Sequence, residues 1–72
     1  MKEMIIAALR QYYHGEIAKS KANVEIFLES HVGVGDHSDV METIDKLVGE
    51  IAEWDDKLMV LDNHYNLTAP RI

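Results

Sequence analysis

One spacing governs what this chain can fold into. From position 40 onward, apolar residues fall at Val40, Ile44, Leu47, Ile51, Trp54, Leu58, Leu61 and Tyr65, in steps of 4, 3, 4, 3, 4, 3 and 4. A helix turns about 100° per residue, so this alternation keeps every member on one face. A mean repeat near 3.5 residues favours left-handed supercoiling against another helix. A strand would need a period of two, and the charges at positions 45–46, 55–57 and 62 interrupt any such pattern. Met41, Val48, Ala52 and Met59 widen the stripe along its flank. That width exceeds a two-stranded seam and predicts a bundle helix with more than one neighbour.

The segment before it carries a second, less regular seam. Tyr13, Ile17, Ser20, Val24, Phe27 and His31 again step by 4, 3, 4, 3 and 4. Upstream, Ile5, Ile6 and Leu9 continue the apolar face, and the four-residue step from Leu9 to Tyr13 breaks strict phase. Ala8, Ala18 and Ala22 are small enough to let a neighbour come close. Gly15 falls mid-helix, where it costs about 1 kcal/mol relative to alanine. It marks either close packing with a slight kink or a tolerated glycine.

Between the two seams lies the one credible break, residues 31–37, with Gly33 and Gly35 inside it. The prediction is a single domain: a helix over about 2–30, a loop over 31–37, a helix over about 37–65, and a frayed tail over 66–72 containing Pro70. Asp36 is the expected N-cap of the second helix. Asp39 and Glu42 place further negative charge at its positive dipole end.

Two helices joined by a short loop must run antiparallel. They cover each other along one line only, and Tyr12, Ile26 and Leu28 on the first helix stay wet together with the wide flank of the second. A chain of 72 residues buries only about 60% of the surface its unfolded form exposes. Small folds therefore need a staple. There is no cysteine for a disulfide, and four histidines without cysteine make a poor structural zinc site. Oligomerisation is the remaining route. The expected fold is an all-α antiparallel hairpin that self-associates into a four-helix bundle, as a dimer first, or into a higher helical oligomer. Its contact residues are the seam from Val40 to Tyr65 together with Tyr13, Ile17, Val24 and Phe27. A different protein is the alternative partner.

A net charge of −6 opposes non-specific binding to nucleic acid or to an anionic membrane surface. No apolar run approaches the roughly 18 residues that span a bilayer. The opening Met1–Leu9 starts like a secretion signal, but Glu3 offsets Lys2, Arg10 stops the apolar stretch, and no small-residue cleavage site follows. The expectation is a cytoplasmic protein. The charge is uneven: Lys2 to Ser30 is balanced, whereas Ser38 to Tyr65 carries eight acidic residues against Lys46 and Lys57. An acidic surface of this kind keeps an apolar small protein in solution, or presents itself to a basic partner.

Chemistry is harder to place. A carboxylate-bridged metal in a helical bundle needs Glu three residues before His on facing helices. The residues three before His14, His31, His37 and His64 are Gln11, Leu28, Val34 and Leu61, so that motif is absent. His31, Asp36, His37 and Asp39 gather near the loop, where capping explains such residues better than a metal does. Gly33 and Gly35 lack the third glycine of a dinucleotide fingerprint, and no P-loop lysine follows them. Ser20, Ser30 and Ser38 have no legible base beside them. Trp54, inside the seam, reads as an interface anchor. No catalytic residue, metal or cofactor is expected. The function expected is non-enzymatic helical assembly, with a small acidic regulatory adaptor as the alternative.

Three stretches carry a resemblance: Met1–Arg10, Ala22–Glu29 and Val32–Val40. Together they resemble a group of small uncharacterised proteins from tailed phages of marine bacteria, over most of the chain up to about Tyr65. That group has proline where this chain has Ser38, so the loop is expected to be less rigid here. The resemblance implies a helical hairpin and a phage origin. It implies no activity and no site residues.

Overall fold

The computed structural model describes residues 1–30 and 37–65. They form two α-helices, α1 (Lys2–Ser30) and α2 (His37–His64), packed side by side as an all-α hairpin. Cross-helix contacts give the direction. Tyr13 meets Trp54, with ring centroids 5.8 Å apart, and Arg10, one turn earlier, pairs with Asp62, two turns later. A falling number on α1 against a rising number on α2 is an antiparallel pairing. The cap expected of Asp36 and the loop residues His31 and Asp36 lie outside the described residues, while Asp39 stands exposed in the first turn of α2.

Burial follows the heptad steps. On α2, Val40, Ile44, Leu47, Ile51, Trp54 and Leu58 are all partly buried, and Leu61 is 5% exposed. On α1, apart from Glu16 on the flank, the covered positions are Ile6, Arg10, Tyr13, Ile17, Ser20, Val24 and Phe27. These step by 4, 3, 4, 3, 4 and 3, so the strict phase does not break upstream of Tyr13. Ile6 and Arg10 hold the register, while Ile5 and Leu9 remain 52% and 37% exposed. The reason is that arginine can serve as a seam residue. Its aliphatic stem lies along the apolar groove while the guanidinium reaches outward, here to the Asp62 carboxylate at 2.5 Å.

The most deeply buried side chain is a serine. Ser20 is 2% exposed, and no buried side-chain polar atom among the described residues lacks a hydrogen-bond partner. A small residue at a seam position is where the opposite helix closes over most completely. The alanines that sequence reasoning offered for that role, Ala8, Ala18 and Ala22, are exposed instead. Gly15 also faces open space, since a Cβ built on it would meet nothing within 4 Å. It marks no close approach within the hairpin, and α1 continues through it as helix.

The result is a rod measuring 54 × 20 × 14 Å. Its Cα radius of gyration is 16.5 Å, against about 11 Å for a compact domain of this length. The chain exposes 5689 Å², where a folded monomer of 8.2 kDa would expose about 4,500 Å². Among the described residues, no helix is long and apolar enough to cross a membrane.

Candidate interface

Each helix has two flanks beside the seam, so the hairpin has two broad faces. Helical phase and cross-helix contacts assign residues to them. Tyr12 packs against Trp54 edge-on at 5.5 Å, and the Lys57 ammonium sits 4.5 Å above the same indole. Tyr12 and Lys57 therefore mark one face. Arg10 and Asp62 mark the other, and Met41, Val48 and Met59 lie on that second face by phase.

The first face is concave toward the open end of the hairpin. A groove of about 690 Å³ runs there, floored by Ile6, Tyr13 and Leu61 and flanked by Leu9, Val60 and Tyr65. Gly49 and Ala52 keep its α2 wall low, and a Cβ on Gly49 would meet nothing within 4 Å. Glu53, Asp56 and Lys57 form a charged edge. Lys57 is held there by Glu53 at 3.6 Å, one turn back, as well as by the indole. Lys19 and Glu16 make a similar pair at 3.4 Å on the same flank of α1. Each pair holds opposite charges close on one helix, so these four charges cancel locally.

The seam residues predicted as contacts mostly face one another inside the hairpin. Tyr65 differs. It lies just past α2, its N–H donating to the Leu61 carbonyl at 2.8 Å, and its side chain stays 54% exposed at the groove. Tyr12, Ile26, Leu28, Met41, Val48 and Met59 remain 50–70% exposed, as their positions outside the seam require. Sequence reasoning missed the groove itself. Its only signal was indirect: the small residues Gly49 and Ala52 beside the exposed Val60, between the phases of the seam and the acidic back of α2.

No family model, curated protein or solved structure matches the chain. Among the described residues, no three of histidine, aspartate and glutamate gather closely enough to hold a metal ion. The groove offers apolar surface, two tyrosine rings, one ion pair and the Asp56 carboxylate. Such a surface can exclude water from another apolar surface, and it presents no nucleophile paired with a base.

Proposed function

We propose that this chain is a non-enzymatic helical assembly protein whose hairpins associate with one another into a four-helix bundle. One observation carries the reading. Among the described residues Leu61 is the only buried apolar side chain, while twelve large apolar residues are at least 37% exposed. Two helices in contact along a single line cannot supply a core, and a soluble fold of this size needs one. A second hairpin laid across the first covers a face without any new covalent or metal staple.

Size-exclusion chromatography with light scattering tests it directly. The expected result is a mass of twice the chain's 8.2 kDa, or a higher multiple, that persists on dilution through the micromolar range. A folded monomer whose mass does not change with concentration would overturn the reading. It would favour the acidic adaptor, which keeps its apolar face for a different protein.

A further inference from the structure

Resting on that self-association, we infer that the two hairpins pair through their grooved faces about a twofold axis parallel to the helices. Both loops then lie at the same end of the bundle, and the two acidic helices sit on a diagonal.

The exposed area favours a second copy as the occupant. The chain exposes 5689 Å², about 1,200 Å² more than a folded monomer of its mass. A standard interface removes about 800 Å² from each partner. A second copy of the same face is large enough to take up the excess, and a small ligand in the groove is not.

Charge selects the face. The α2 helix carries Asp39, Glu42, Asp45, Glu50, Glu53, Asp55, Asp56 and Asp62 against Lys46 and Lys57, and α1 carries four charges of each sign. Lys46 and Lys57 are 11 residues apart, which places both on the same flank of α2, the one beside the groove. The other flank of α2 carries Asp45, Asp55 and Asp62 and no lysine, so the grooved face is the less acidic of the two to set against a copy of itself.

Charge also selects the axis. A twofold perpendicular to the helices stacks α2 on its own copy at 8–10 Å, within about one Debye length at physiological salt. Six excess negative charges then face six more. A twofold parallel to the helices stacks each α2 on the partner's neutral α1 and moves the two acidic helices to about 14 Å, across the diagonal. The groove gives an independent reason. It lies at the open end of each hairpin, and only the parallel axis brings the two concavities together, so that each copy's Leu9 and Tyr12 can fill the other's.

The chain has no cysteine, so single labels are clean. Nitroxide labels at Asn63→Cys, near the open end, and Glu42→Cys, near the loop, allow two distances to be read by pulsed dipolar spectroscopy. In the proposed dimer the Asn63→Cys pair should lie about 30 Å apart. A mixed dimer of Asn63→Cys with Glu42→Cys should give about 40 Å. The perpendicular axis reverses the order, with the mixed pair near 15 Å, and that result would overturn the arrangement while leaving self-association intact. A monomer in the scattering experiment sinks both readings. The face is tested separately: Val60→Lys should dissociate the dimer and Met41→Lys should not. The opposite pattern would move the interface to the other face.

Discussion

At the scale of single residues, Trp54 joins the two helices through its ring contacts with Tyr12 and Tyr13. Its indole meets Tyr12 at 5.5 Å, Tyr13 at 5.8 Å and the Lys57 ammonium at 4.5 Å. It is partly buried, not sealed, because one edge looks into the grooved face. Truncation of a buried tryptophan costs about 3–5 kcal/mol, and the open edge puts Trp54→Ala at the lower end, about 3 kcal/mol. Its neighbour Glu53 is 63% exposed and makes only a one-turn ion pair with Lys57. Glu53→Ala should therefore change stability by less than about 0.5 kcal/mol. Urea denaturation of the two variants side by side checks the contrast. Similar losses would mean that the seam does not pass through Trp54.

At the scale of the helices, the sequence disclosed the pairing better than its register. The α2 seam was legible because every position from Val40 to Leu61 is large and apolar, and its regular steps leave a single phase. The α1 seam was legible only from Tyr13 onward. Upstream, a search for apolar residues alone picks Ile5 and Leu9 beside Ile6, because it assigns arginine to the solvent. Packing is governed by shape as well as polarity, and Arg10 contributes a three-methylene stem to a seam whose opposite wall holds an acceptor. The same bias hid Ser20, whose small size matters more to the closing helices than its hydroxyl. The groove was less legible still, because a concavity depends on what two separate helices leave unfilled. A consequence at this scale concerns Arg10→Leu. The ion pair with Asp62 is between groups 35% and 45% exposed, and such pairs contribute under about 1 kcal/mol. A leucine there buries more apolar area, worth about 1.5–3 kcal/mol when complete. The expected outcome is a gain of about 1 kcal/mol, read as a higher urea midpoint with an unchanged slope. A loss would show that the Asp62 contact, not the stem, keeps α1 in register.

At the scale of the whole molecule, stability and association become one quantity. A rod with a radius of gyration of 16.5 Å and, among the described residues, one buried apolar side chain has little to hold it folded alone. A dimer of the proposed kind makes folding bimolecular, so the folded state gains RT ln 10, about 1.4 kcal/mol, for each tenfold rise in protein concentration. Two chains of 72 residues unfold with an entropy of about 0.3 kcal/mol/K. The melting temperature should thus rise by about 4–5 °C per decade of concentration, as followed by far-ultraviolet circular dichroism between micromolar and near-millimolar samples. Val60→Lys, placed in the groove, should lower the transition at every concentration and flatten that dependence. Met41→Lys should shift the transition little and keep the slope. A melting temperature that does not move with concentration in the parent protein would locate the missing core within a single hairpin, against the exposure seen along both of its faces.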